Sequence, residues 1–282
     1  MPKLLFIGDI VGDPGLEYLE AQLPKMLEIH TPDFVIANAE NLSLTNAGRG
    51  PCGMTQAALE RLFALGVQLV TGGNHSWDGF EIEAVHNDPR VLRPLNVGPN
   101  WPGRGASIIT SNRFNLGVIN LAGRSAIPAV DQPLLVLEHQ LEIWQDYVDA
   151  VIVDFHGESV FEKVTLAHAF AGRIAGLFGT HTHVPTLDAQ ILEGGVAYVS
   201  DVGMTGPNGG AQGYKPQGFI NNMRSQGFAQ SLLEHAEGPV ELGAVLITLE
   251  GSRAVKINRV FGPDEVRNDQ IQLEQPRTLE TA

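Results

Sequence analysis

Asp9, Glu40, Asn41, Asn74, His75, His156, His181 and His183 each stand where an apolar run of the chain stops. Asp9 follows LLFIG, Glu40 and Asn41 follow FVIANA, Asn74 and His75 follow LVTGG, His156 follows AVIVDF, and His181 and His183 follow IAGLFGT. Taken singly, an Asp or Asn in such a place is ordinarily a helix cap or turn residue, and a lone histidine is ordinarily a hydrogen-bonded side chain at a rim. Five run ends that supply carboxylates, amides and imidazoles are harder to obtain by chance. That mix, without a thiolate, suits Mn²⁺, Fe²⁺ or Zn²⁺, whereas Ca²⁺ would prefer oxygens alone. These candidates exceed what one ion can hold. Two ions about 3.5–4 Å apart, bridged by a carboxylate, would use them, and Glu40 is the expected bridge. The spacing of His181 and His183 would put both rings on one side of an extended segment.

Such residues converge only if the runs are strands with a common rim. KLLFIG, FVIANA, VQLVTG, LGVINL, AVIVDF and IAGLFG read as short buried strands. Between them GLEYLEAQLPKMLEIH, TQAALERLFALG, PLLVLEHQLEIWQDYV and ESVFEKVTLAHAFAGR have amphipathic helical spacing, with Pro24 expected to kink or interrupt the first. Alternating strands and helices imply βαβ units and a largely parallel sheet, which binds ligands beyond the C-terminal strand ends. After residue 185 the texture changes to hairpins, turning at Glu193-Gly194-Gly195 and Glu250-Gly251-Ser252. The expectation is an α/β architecture in which antiparallel strands accompany the βαβ part, as a second sheet packed against it. MTGPNGGAQGYKPQGF reads as a long loop, and residues 265–282 as a polar, frayed tail on a single domain spanning 1–282.

Composition narrows the function. Hydrophobic residues make up 43% of the 282, enough for a sizeable core. The single cysteine, Cys52, excludes an intrachain disulfide and a cysteine-based metal site, and fits a reducing compartment. A formal net charge of -14 argues against gripping long nucleic acid, which needs basic surface, but leaves a small phosphorylated substrate open. No run is apolar enough to span a membrane or serve as a signal-peptide core, so the expected location is cytoplasmic. GDIVGDPG does not follow the dinucleotide-binding G-x-G-x-x-G, and no Walker A loop is present. His30, His86, His139, His168 and His235 lie in helix-like stretches and read as structural.

In order and spacing, GD, GNH, a lone histidine and GTHTH resemble the calcineurin-like metallophosphoesterase superfamily. LFIGDIVG, NAEN, GGNHSWD, LRPLN, GVINLAGR, VDFHGES, GTHTHVPTLDAQIL and AYVSDVGMTGP resemble its YmdB-like branch of bacterial 2′,3′-cyclic nucleotide 2′-phosphodiesterases, from Leu4 to about Phe261. The resemblance implies a four-layer α/β/β/α sandwich of two mixed sheets flanked by helices. It places Asp9, Glu40 and His183 on one metal, with Asn41 as a further ligand, and Glu40, Asn74, His156 and His181 on the other. His75 becomes the acid or transition-state histidine, and the cofactors two divalent ions, iron or manganese first and zinc third. The implied reaction is hydrolysis of a small phosphodiester, a 2′,3′-cyclic nucleotide giving the 3′-phosphate, by a metal-bridging hydroxide. Arg124, ending GVINLAGR, is a candidate phosphate contact, with a rim salt bridge as the alternative. Two other readings stand beside this one: a phosphomonoesterase, and a regulatory scaffold that binds a nucleotide, RNA or protein. A homo-oligomer is compatible with the chain. Val11 occupies the position where the superfamily usually carries a histidine, and the loop LSLTNAGRGPCGMT is longer than the branch would lead one to expect.

Overall fold

The computed structural model describes residues 1–46, 50–225, 232–262 and 265–267. Its elements run β1 (Lys3–Ile7), α1 (Gly12–His30), β2 (Phe34–Asn38), α2 (Gln56–Ala64), β3 (Leu69–Thr71) and α3 (Ile82–Asn87). A second series follows as β4 (Ala106–Ser111), β5 (Phe114–Ala122), α4 (Pro133–Ile143), β6 (Ala150–His156), α5 (Val160–Ala169) and β7 (Gly176–Thr180). The chain continues through β8 (Gln190–Leu192), β9 (Val196–Val199), β10 (Gly206–Pro207), α6 (Pro216–Arg224) and β11 (Val240–Glu241). It closes with β12 (Ala244–Glu250), β13 (Arg253–Gly262) and β14 (Glu265–Arg267).

The βαβ part is divided between two six-stranded sheets, ordered β14-β13-β12-β1-β2-β3 and β4-β5-β6-β7-β9-β8. This corrects the picture of one parallel sheet beside one antiparallel sheet. Each has a parallel centre, β1-β2-β3 in one and β5-β6-β7-β9 in the other, and each is completed by antiparallel strands. The pleat explains the division. Leu5 and Ile7 of β1 pack with Leu16, Leu19, Leu23 and Met26 of α1, while Leu4 and Phe6 face Leu116, Ile152 and Phe178 of the other sheet. On β6, Ala150 and Ile152 face inward, and Val151, Val153 and Phe155 pack with Leu137 of α4 and Leu166 of α5. Strands apolar on both faces need a cover on each, and here one cover is helical and the other is the opposing sheet. The result is a four-layer α/β/β/α sandwich of two mixed sheets flanked by helices.

Three local expectations are revised. α1 passes through Pro24 without interruption. The proline is exposed, while buried Leu16, Leu19, Leu23 and Met26 hold the helix against β1. The glycine-rich stretch after Met204 is not all loop, since it contains β10 and the start of α6. The first tail residues, Glu265–Arg267, form β14 against β13, and the rest of the tail lies outside the described residues, as do 47–49 of the loop after Asn41. The Glu193-Gly194-Gly195 and Gly251-Ser252 turns form as expected, the latter pairing Glu250 with Arg253.

Phe6 and Phe178 meet between the sheets with ring centroids 5.1 Å apart, and both are fully buried. Phe178→Ala is expected to lower the unfolding free energy by about 3–5 kcal/mol, measured by denaturant titration. A loss well below that range would show that the inter-sheet layer collapses around the deletion.

Candidate metal centre

The C-terminal ends of the parallel strands point to the same end of the sandwich. Asp9, Glu40, Asn41, Asn74 and His75 come from just beyond β1, β2 and β3 in one sheet. His156 ends β6, and His181 and His183 follow β7 in the other. Glycine permits the meeting. A Cβ on Gly73 would lie 2.3 Å from Glu40 Oε2 and from the His156 ring, and one on Gly8 would lie 1.9 Å from the Gly203 carbonyl oxygen.

Around His156 Nε2 the contacts are dense. Asn74 Oδ1 lies at 2.9 Å, His181 Nδ1 at 3.0 Å and Glu40 Oε1 at 3.1 Å. Ligand atoms of Glu40, His156 and His181 all lie within 4.8 Å of one another. Beside this group, His183 Nε2 is 3.3 Å from Asn41 Oδ1 and 3.9 Å from Asp9 Oδ1, and that same Asp9 oxygen is 3.9 Å from His156 Nδ1. Glu40 Oε2 accepts the backbone N–H of His75 at 2.9 Å, and Asp9 Oδ2 accepts that of His181 at 3.1 Å. Among the described residues Asp9 Oδ1 has no hydrogen-bond donor, although the residue is fully buried. A buried anionic oxygen without a donor is costly unless a cation neutralises it. Together with the convergent imidazole and amide lone pairs, this oxygen makes the residues a good fit for a divalent metal.

Neither His181 nor His183 lies in extended backbone, contrary to the sequence expectation: φ is 102° at the first and 64° at the second. Both angles are uncommon for residues with a Cβ and cost energy that the surroundings must hold. The hold comes from a buried network. Asp201 accepts the Thr182 N–H at 3.1 Å and pairs with Lys163 at 3.2 Å, and Lys163 also donates to the Thr180 carbonyl at 3.1 Å. The Arg259 guanidinium donates to the carbonyls of Thr186, Asp201 and Val202. The kinked loop still aims both rings at the cluster. His183 donates from Nδ1 to the Gln212 carbonyl at 2.9 Å, leaving Nε2 for Asp9 and Asn41.

Burial would raise the Glu40 carboxyl, but the charge and hydrogen bond of His156 outweigh it and hold the pKa down at about 2. Burial would lower His156, and the carboxylates of Glu40 and Asp9 instead lift it to about 9. His181 is pushed down to about 3 by burial and by the neighbouring charge of His156. Burial also opposes charge on His75, yet its hydrogen bond to Asp78 and the nearby Glu40 raise its pKa above the usual value. His75 Nδ1 is 2.7 Å from Asp78 Oδ2, and its side chain is 29% exposed, the more open end of the site.

All eight residues singled out from the sequence thus lie in or against one cluster. Arg124 is not tied to it: its side chain is exposed, and its backbone N–H donates to Glu162 at 2.9 Å. Cys52 is buried and contacts the Tyr214 hydroxyl at 3.2 Å. His86 donates to the Ser76 carbonyl at 2.7 Å, a structural role as expected. Asp78, Asp154, Thr180 and Glu158, whose Oε2 lies 3.5 Å from His181 Nε2, were not anticipated. Asp78 had a signal in its three-residue spacing from His75, and Asp154 in being a carboxylate inside an apolar run.

Known proteins resemble this chain in sequence and in fold. A family model described as YmdB-like protein matches residues 5–260. The 2′,3′-cyclic-nucleotide 2′-phosphodiesterase of Bacillus subtilis (strain 168) is 35% identical over 266 residues, which cover 93% of this chain and 98% of that protein. A crystal structure of a hypothetical protein from Thermus thermophilus superposes with a TM-score of 0.82 at 36% identity, covering 90% of this chain and 96% of that one. A novel phosphatase from Mycoplasma pneumoniae gives a TM-score of 0.81 at 30% identity and covers 91% of each chain. With residues 5–260 matched by that family model and a relative 35% identical over 93% of its length, the chain belongs to the YmdB-like family.

Proposed function

We propose that the protein hydrolyses small phosphodiesters, with 2′,3′-cyclic nucleotides as the substrate and 3′-phosphates as the product, using two divalent cations. It is a phosphoric ester hydrolase by family, and the B. subtilis relative is named for this reaction. The observation that carries the two-cation reading is the pair of adjoining donor sets, with the undonated Asp9 Oδ1 between His156 and His183. Glu40, Asn74, His156 and His181 would hold one cation. Asp9, Glu40, Asn41 and His183 would hold the other, so Glu40 serves both. Iron or manganese suits these oxygen and imidazole donors, with zinc third. When bound, such ions supply Lewis acidity toward phosphoryl oxygens and make water more acidic.

The chain's own residues do the rest. Hydrolysis breaks the P–O2′ bond, adds the oxygen of water to phosphorus and returns a proton to O2′. His75 supplies that proton from Nε2, while Asp78 holds Nδ1–H and favours the charged ring. Glu40 Oε2 holds the His75 backbone N–H, so the acid and the cation site share one anchor.

Metal-stripped protein given a 2′,3′-cyclic nucleotide should turn over only when Mn²⁺ or Fe²⁺ is restored, releasing the 3′-phosphate. Folded protein with two bound metal equivalents and no turnover would reject the substrate assignment. His75→Ala should keep both equivalents and lose about 10²–10⁴-fold in turnover; loss of metal along with activity would make His75 a ligand or folding residue. Glu40→Ala should lower occupancy at both positions by elemental analysis, and two full equivalents would rule out its bridging role. Gly73→Ala should fold, by circular dichroism, but bind metal weakly, because its methyl group occupies the space where Glu40 meets His156.

A further inference from the structure

Behind His156 lies a buried carboxylate outside the proposed ligand set. Asp154 precedes His156 by two positions on β6, on the same face of the sheet, and is fully buried. Three donors surround it: Thr180 Oγ1 at 2.7 Å from its Oδ1, with Asn38 Nδ2 at 3.0 Å and the Thr71 hydroxyl on its Oδ2. Thr180 ends β7 directly opposite His156, and its Oγ1 lies 3.0 Å from His156 Nδ1.

The direction of these bonds can be traced from a group whose role is fixed. The backbone N–H of Glu40 donates to Asn38 Oδ1 at 3.1 Å, which orients the amide and turns its NH₂ toward Asp154. The Asp154 carboxylate therefore accepts. A hydroxyl has one proton, and Thr180 gives it to Asp154 Oδ1. Toward His156 the Thr180 oxygen is then an acceptor only, and His156 Nδ1 must carry the N–H. Nε2, next to Glu40, Asn74 and His181, is the nitrogen left for the cluster. His183 gets the same result from a backbone carbonyl. His156 has no carbonyl at Nδ1, and a threonine alone could rotate and donate; the carboxylate behind it removes that freedom.

We propose that Asp154 and Thr180 are positioning residues that keep His156 protonated on Nδ1 and present its Nε2 to the metal. The inference rests on the two-cation reading above and adds to it the pair that sets the form and angle of one ligand. Outer partners of metal-bound histidines typically alter metal affinity by about 10–100-fold when removed.

The test is metal binding by the stripped full-length protein, with Zn²⁺ titrated against a competing chelator. Wild type should take up two equivalents; if it takes up none, the metal reading falls and this inference with it. Thr180→Val keeps the shape but loses the acceptor, and should weaken one equivalent by about 10–100-fold while sparing the other. Thr180→Ser should restore it. Unchanged affinity in Thr180→Val, or a lower melting temperature of the metal-free protein without a shift in affinity, would overturn the proposal and leave the metal reading intact. A second measurement needs no variant. In zinc-loaded wild type labelled with ¹⁵N-histidine, NMR should show a proton on His156 Nδ1 and the metal on Nε2. Metal on Nδ1, or no proton there, would overturn the assignment even if Thr180→Val failed to fold.

Discussion

One end of the sandwich buries four carboxylates, those of Asp9, Glu40, Asp154 and Asp201, none more than 1% exposed. An ionised carboxylate taken from water costs several kcal/mol unless its charge and lone pairs are answered. Each of the four is answered differently. Asp201 has an ammonium partner in Lys163 and N–H donors in Thr182 and Gly203. Asp154 has two hydroxyls and an amide. Glu40 has the His75 N–H and the His156 ring. Asp9 is least satisfied: among the described residues it has a single backbone donor on Oδ2 and none on Oδ1. The series runs from a carboxylate fully served by the protein to one that calls for a cation. Much of the local structure follows from the need to serve all four.

That need explains features that packing alone would not favour. Positive φ at His181 and His183 is sustained because Asp201, Lys163 and Arg259 grip the backbone on both sides of the kink. Glycine at 73 gives up a side chain so that a carboxylate and an imidazole can touch. The inter-sheet layer around Phe6 and Phe178 keeps the two sets of strand ends in register. Small rotations of one sheet on the other would separate Glu40 from His156.

The cluster members were legible because each sits at a break in hydrophobicity, and that break is a local property of the chain. Asp154 stands out in the sequence only as a carboxylate inside AVIVDF; its role was not legible, since its donors Asn38, Thr71 and Thr180 are remote in sequence. The positive φ of GTHTH was not legible for a related reason. A polar tripeptide after a strand carries no sign of positive φ, and what stabilises it comes from Lys163 on α5, Arg259 on β13 and Asp201 just beyond β9. The division of the βαβ units between two sheets was likewise hidden from periodicity. Strands such as LLFI are apolar on both faces whether a helix or a second sheet covers them. The layer order came instead from the resemblance of whole motifs.

The donors are shared between the sheets: Asp9, Glu40, Asn41 and Asn74 on one, His156, His181 and His183 on the other. A cation held by both sets is a rivet across the seam, and it stabilises only the folded chain. By mass action a ligand at 100 times its dissociation constant contributes about 2.7 kcal/mol to the folded state. With such a cation bound, the thermal stability of this protein would depend on the surrounding free metal as well as on the polypeptide. A chelator would loosen the sandwich at its seam without touching the hydrophobic layers that build it.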